Sequence, residues 1–222
     1  EEGQALGTLC LIDPVPRQLT DKQLRLFTDM AVLVEGYLKL RHVSAQTEQL
    51  RAALSREQRK TMLDPLTQLW NRAGLDHFLP RHQQQADELG LSLGVLFCDL
   101  DYFKKVNDNH GHAAGDQVLW ETARRISAAV RPQDVVTRSG GEEFLALLPQ
   151  TPPDEALRVA QKLRHAVDMS TAPVVAHVTV SVGVSAAAAE QPDAEMAVRL
   201  ADDQLYRAKQ NGRNRVESSF MR

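Results

Sequence analysis

The sequence predicts a mixed α/β domain, of the α+β kind with an antiparallel central sheet, preceded by a long helix. Three observations carry that expectation. From Asp64 onward, helical and extended patterns alternate in a chain of ordinary globular composition, 43% hydrophobic and 25% charged, as in one compact mixed domain. Val178, Val180, Val182 and Val184 alternate with Thr179, Ser181, Gly183 and Ser185, the period of an antiparallel strand with one covered face. Upstream, Leu24, Phe27, Ala31, Val34 and Leu38 recur at spacings of three and four, one apolar stripe along a helix.

In chain order, residues 5–12 read as a strand, 14–17 as a proline-containing loop, and Leu19-Thr20-Asp21 as a helix start with Thr20 or Asp21 as N-cap. The first strand has no visible partner and the chain opens without methionine, so it reads as a piece of a longer protein. The stripe then changes phase through Leu40, Val43, Thr47, Leu50 and Leu54, an imperfect heptad seam that suits a parallel dimeric coiled coil. A solvated helix lying on its own domain is the alternative. Beyond it, helices near 71–89, 102–108, 113–130, 153–168 and 192–211 alternate with strands near 91–98, 135–138, 143–148 and 174–186. The apolar run over 91–100 is long enough for a strand buried on both faces.

Charge and sulfur exclude several classes. With 26 basic and 29 acidic residues the net charge is −3, so nothing global marks a partner of nucleic-acid polymers or a polybasic membrane binder. Any phosphate binding must come from local cations. No stretch reaches the length of a membrane-spanning helix and no signal peptide precedes the first strand, so the chain reads as cytoplasmic. Cys10 and Cys98 lie in separate apolar runs and are expected as buried, reduced thiols. No His/Cys spacing suits zinc, and no serine-nucleophile constellation is present.

Chemistry concentrates in two places. Arg138-Ser139-Gly140-Gly141-Glu142-Glu143-Phe144 lies between β-branched Val135-Val136-Thr137 and the apolar run over 145–148. That is strand, turn, strand, with Gly140-Gly141 expected at the positive-φ positions of a two-residue hairpin where a ligand can approach the backbone. Acids also cluster where the 91–100 run stops, in Asp99-Leu100-Asp101. A carboxylate there could meet Glu142 and Glu143 around hard divalent cations, a magnesium and phosphate site. Taken alone, the glutamates would be solvated acids at a hairpin tip and Asp101 a cap on the next short helix. Phe97, Phe103, Trp120 and Phe144 read as core, and His112 as a structural residue that holds its turn by hydrogen bonding.

Six segments occur in order: Asp64-Pro65-Leu66-Thr67-Gln68-Leu69-Trp70-Asn71-Arg72, the stretch over 99–108, Gly111-His112-Ala113-Ala114-Gly115-Asp116, the signature over 140–144, Thr179-Val180-Ser181-Val182-Gly183-Val184, and Ala208-Lys209-Gln210-Asn211-Gly212-Arg213-Asn214. Over residues 62–218 the chain thereby resembles GGDEF-domain diguanylate cyclases, with Glu142 where the family name has Asp. The resemblance implies a ferredoxin-like, palm-type fold akin to nucleotidyl cyclases and polymerases. It implies that two GTP condense to cyclic di-GMP with loss of two pyrophosphates, on magnesium or, as the alternative, manganese.

By resemblance, Asp99, the Leu100 carbonyl, Glu142 and Glu143 bind metal, with Glu142 the usual candidate for proton acceptor. Lys104, Lys209 and Arg213 match phosphate contacts; the last two lie four apart, one turn on the same helix face, where a solvated basic C-terminus favoured by the helix dipole is the competing account. Asn107 and Asp116 match the positions that read guanine, whose N1–H and N2–H₂ suit an ionised carboxylate where adenine presents an acceptor. Gly140 and Gly141 complete the substrate set. Arg131-Pro132-Gln133-Asp134 matches the product-inhibition site, with Arg158 or Lys162 as its second basic partner. Residues 1–40 resemble the end of a GAF sensory domain, 41–62 form a coiled-coil linker through which a homodimer would assemble, and 63–222 form the GGDEF domain. The competing expectation is a catalytically silent receptor for GTP or cyclic di-GMP that signals through the linker helix.

Overall fold

The computed structural model describes residues 8–10, 12, 14–16, 18–168, 177–187 and 193–220, with the backbone alone over 44–59. It divides into two compact units, Glu1–Arg59 and Lys60–Arg222. Helix α1 (Asp21–Thr61) opens on a capping box: Gln23 N–H donates to Thr20 Oγ1 at 3.4 Å, and Thr20 N–H donates to Gln23 Oε1 at 3.0 Å. Thr20 is therefore the N-cap. The strand expected over 5–12 falls mostly outside the described residues, but Thr8, Leu9, Cys10 and Ile12 belong to no strand and are exposed. Cys10 is accordingly an exposed free thiol, whereas Cys98 is free and buried. The apolar stripe of α1 is largely open to solvent at Leu24, Val34, Leu38 and Leu40. The change of phase near residue 40 does not interrupt the helix, and the side chains of Thr47, Leu50 and Leu54 lie outside the described residues.

In the second unit, α2 (Arg72–Leu89), β1 (Leu93–Leu100), α3 (Phe103–His110), α4 (His112–Ala129), β2 (Val135–Gly140), β3 (Glu143–Pro149), α5 (Pro153–Asp168), β4 (Val180–Ala187), α6 (Ala194–Gln210) and β5 (Val216–Ser218) follow in order. The sheet order is β2-β3-β1-β4-β5; every pair is antiparallel except β4 and β5. All eight residues of β1 are buried. Successive side chains point to opposite faces, so Leu96, Cys98 and Leu100 join one core with Val118, Ile126 and Leu163, while Leu93, Val95 and Phe97 join another with Leu75, Ala201 and Leu205. Helices α3, α4 and α5 cover the first face, and α2 and α6 cover the second.

Two expectations change here. Strand β4 is buried on both faces, with Ser181 and Ser185 fully enclosed; the polar alternation marks a close helix, not solvent. A Cβ on Gly183 would run into the backbone of α6 at Ala201 and Leu205 and come within 2.9 Å of Gln204 C, so glycine sets how near α6 lies to the sheet. Trp120 is 52% exposed, because the buried stripe of α4 passes through Val118, Leu119, Thr122, Ala123 and Ile126 and leaves position 120 outside it.

The junction after α1 is closed by one residue. Asn71 Nδ2 donates to Thr61 O at 2.9 Å and Leu63 O at 3.2 Å, its N–H donates to Met62 O at 2.7 Å, and its Oδ1 accepts from Gly74 N at 3.1 Å as the N-cap of α2.

Candidate active site

Strand β1 delivers Asp99 to the end of the sheet. Its neighbours in register are Glu143 on β3 and Ser181 on β4, and alternation puts Asp99 on the face that α6 covers. There Lys209, in the last turn of α6, places Nζ 2.8 Å from Asp99 Oδ2. The β2–β3 turn arrives from the other side, where Leu100 N–H donates to Glu142 O at 3.3 Å. The turn differs from the one expected: a register shift between Arg138 and Gly140 pairs Gly140 with Glu143, so the loop residues are Gly141 and Glu142. Gly141 has φ +42° and open space where a side chain would be, whereas Gly140 is not in the left-handed region. Glu142 therefore sits in the loop and Glu143 on the strand, which frees the two from the opposed directions of a regular strand.

Arg138 braces this turn. Its Nε and Nη2 donate to Gly141 O at 3.0 and 2.7 Å, and its Nη1 reaches both oxygens of Asp64. Asp64 also accepts from Thr67 N–H at 2.8 Å and Thr67 Oγ1 at 2.7 Å. Burial pushes Asp64 up, but the Thr67 hydrogen bonds and the Arg138 ion pair together hold it below the ordinary carboxylate range.

The three candidate ligands behave oppositely. Burial raises Asp99, with Lys209 pulling it back; burial and then the Asp99 charge raise Glu142 and Glu143, again opposed by Lys209. Carboxylates thus exceed cations at this point. Among the described residues, no three His, Cys, Asp or Glu side chains converge as a formed metal centre, and Lys209 takes up one oxygen of Asp99. The donor chemistry nevertheless fits a hard dication: oxygen ligands only, crowded enough to disfavour their own ionisation.

Asp101 does not cap α3. It is 5% exposed and accepts from Thr179 Oγ1 at 2.6 Å, Ser181 Oγ at 2.7 Å and Asn214 N–H at 3.0 Å, which ties the end of β1 to β4 and to the turn after α6. The N-cap position of α3 is Tyr102, left-handed at φ +56° and without a side-chain cap bond. Arg213 lies beyond the end of α6, not one turn along its face: Gly212, Arg213 and Asn214 all have positive φ. Its guanidinium stacks 4.5 Å above the Tyr102 ring, and Lys105 lies 4.5 Å from that ring's centroid. Tyr102, Asp64, Arg138 and Asn214 are residues that motif reading did not single out.

Lys104 and Asn107 lie three apart on α3, which begins where β1 stops, and Asp116 is the fifth residue of α4, just past its first turn. The α3–α4 turn is held by its own backbone, Gly111 N–H to Asn107 O at 2.8 Å and Gly115 N–H to Gly111 O at 3.2 Å. His112 is exposed and takes part in none of the described hydrogen bonds. Arg131 and Asp134 stand apart from all of these, at the start of β2, about 17 Å along a six-residue strand from Gly140. Asp134 Oδ2 accepts from Arg131 N–H at 2.7 Å, its Oδ1 is buried without a partner among the described residues, Arg131 forms an ion pair with Glu155, and Lys162 Nζ donates to Ala129 O at 2.9 Å.

The chain is similar to known proteins in sequence and fold. The response regulator PleD of Caulobacter vibrioides is 40% identical over 176 residues, covering 77% of this chain and 38% of that protein. The coiled coil and GGDEF domain of DgcB from Caulobacter crescentus, solved in complex with c-di-GMP, superposes with TM-score 0.70 at 30% identity over 82% of this chain and 98% of that one. The active GGEEF domain of a diguanylate cyclase from Vibrio cholerae gives TM-score 0.65 at 32% identity, covering 68% and 97%. The chain spans about two fifths of the length of the curated relatives it matches. The model of the diguanylate cyclase GGDEF domain matches residues 61–215, strands β1 to β4 and all the site elements above, and the chain belongs to that family.

Proposed function

We propose that this chain is a diguanylate cyclase: two GTP react so that the 3′-hydroxyl of each attacks the α-phosphorus of the other, two pyrophosphates leave, and cyclic di-GMP forms. The observation that carries this is the surplus of carboxylate at the end of β1, faced by the hairpin glutamates and flanked by Lys209 and Arg213. Members of the family generally use divalent metal ions; magnesium, with manganese as the alternative, would be held by Asp99, the Leu100 carbonyl, Glu142 and Glu143 and would neutralise triphosphate charge. Glu142, half-buried in the loop and raised in basicity, suits acceptance of the hydroxyl proton. Lys104, Lys209 and Arg213 would bind the phosphates, with Lys209 exchanging Asp99 for substrate. Asn107 and Asp116 would read guanine, and Gly140 and Gly141, the latter with open space beside it, would let the nucleotide approach the backbone.

Each domain would hold one GTP, so two must face each other, and the exposed apolar residues of α1 support a dimer through the 40–54 seam. Arg131 and Asp134 would bind product and inhibit. Residues 1–40 would be the end of a GAF-like sensory domain.

Incubation with GTP and magnesium, followed by chromatography of the nucleotides, tests the reaction: cyclic di-GMP is expected, and nucleotide binding without turnover would leave a silent receptor. Asp116→Ser should raise the use of ATP relative to GTP about tenfold by removing the carboxylate that faces an acceptor on adenine. Leu50→Lys with Leu54→Lys should lower specific activity several-fold at low protein concentration, roughly as loss of effective concentration requires. An activity independent of protein concentration and equal to the parent's would remove the seam from assembly.

A further inference from the structure

Gly115 lies buried in the first turn of α4, and the carboxamide of Asn107 rests against it. A Cβ at Gly115 would fall inside the van der Waals radius of Asn107 Oδ1, 3.0 Å from Asn107 Cγ and 3.2 Å from Phe103 Cζ. Its φ is not in the left-handed region, so backbone conformation does not call for glycine, and helix propensity opposes it. The remaining reason is space. The Asn107 carboxamide is the far end of a half-buried side chain whose backbone carbonyl is fixed by Gly111 N–H at 2.8 Å, so a methyl at 115 would displace the carboxamide and not the backbone.

We propose that Gly115 is a positioning residue for base selection: its missing side chain lets the Asn107 carboxamide lie across α4, one position from Asp116, so that the two polar groups can meet one base. This rests on the reading of Asn107 as a guanine contact. Any side chain at 115 would turn that carboxamide aside while leaving the carboxylates and cations at the end of β1 untouched.

The test is binding of α,β-methylene GTP with magnesium to the full chain as parent, Gly115→Ala, Asn107→Ala and the double variant, with thermal melting alongside. Each single variant should bind on the order of tenfold more weakly. The double variant should be no weaker than Asn107→Ala alone, because removing the carboxamide takes away the severe overlap and leaves the new methyl only the 3.2 Å contact with Phe103 Cζ. Parent-like binding by Gly115→Ala, or a double variant showing the product of both losses, overturns the proposal. Parent-like binding by Asn107→Ala takes base reading from Asn107 and the proposal with it, whereas a weakened Asn107→Ala beside a parent-like Gly115→Ala removes the role of Gly115 alone. If Gly115→Ala fails to fold, a folded double variant with the affinity of Asn107→Ala upholds the clash; a double variant that also fails assigns the glycine to helix packing and overturns it.

Discussion

The end of β1 and the start of β2 are both rich in charge, but they are wired differently. At the end of β1, Asp99, Glu142 and Glu143 face one close ammonium, Lys209, and each is held above its ordinary pKa by burial and by its neighbours. At the start of β2 most of the groups are matched within the chain: Arg131 with Glu155, one oxygen of Asp134 with the Arg131 backbone, Lys162 with the Ala129 carbonyl. The other Asp134 oxygen has no partner among the described residues, and burial raises that carboxyl too. A site with surplus charge of one sign gains by taking up its opposite. A site already matched binds only by exchanging partners, so its occupancy is set by the strength of the contacts it gives up.

The largest effect that could break this contrast is loss of the surplus. Glu142→Gln and Asp99→Asn should each lower cyclic di-GMP formation by about a hundredfold or more while the domain still melts cooperatively; turnover within tenfold of the parent would mean that these carboxylates do not serve the reaction. Next, Arg131→Ala should raise the product concentration needed for inhibition about tenfold without lowering the initial rate, as expected from loss of a charge-assisted contact. Glu155→Gln sharpens the point, since it should move inhibition the other way, several-fold tighter, by releasing the guanidinium. Progress curves with added cyclic di-GMP separate the two; a Glu155→Gln variant that escapes inhibition would show that the ion pair holds Arg131 in its binding pose.

The smallest effect concerns the brace behind the hairpin. Asp64→Asn should cost about 1–3 kcal/mol of stability at neutral pH, as for a partly buried charged hydrogen-bond acceptor. The sign with pH follows from the lowered Asp64 pKa. A depressed carboxyl stabilises the fold above its unfolded value near 3.8, and that contribution is lost as pH falls through the lower folded value. Denaturant titrations of the parent and the variant should therefore converge only below about pH 4; a gap that stays constant with acidification would place the effect in packing.

What could be read from the chain was local. Acids at the end of an apolar run and glycines between two β-branched runs announced the meeting of Asp99 with the hairpin, because strand ends and turns have their own composition. Whatever depended on distant partners was hidden. Asp101 followed by a short helix looks like a cap, and only β4 and the turn after α6, 80 and 113 residues away, reveal a buried anchor. The serines of β4 looked solvent-facing because alternation cannot distinguish water from the backbone of α6 lying on Gly183. A one-residue shift in the β2–β3 ladder moved the loop from Gly140-Gly141 to Gly141-Glu142, which no composition encodes. Tyr102 and Arg213, non-glycine residues at positive φ, gave no local signal of that conformation.

Asn71 has a mechanical consequence. At 1.5 Å per residue, the 41-residue helix α1 is about 60 Å long, and the carbonyl of its last residue, Thr61, together with that of Leu63 just beyond it, is held by the same carboxamide that starts α2. The end of α1 and the start of α2 thus depend on a single carboxamide, so loss of the Asn71 side chain would take that partner from both at once.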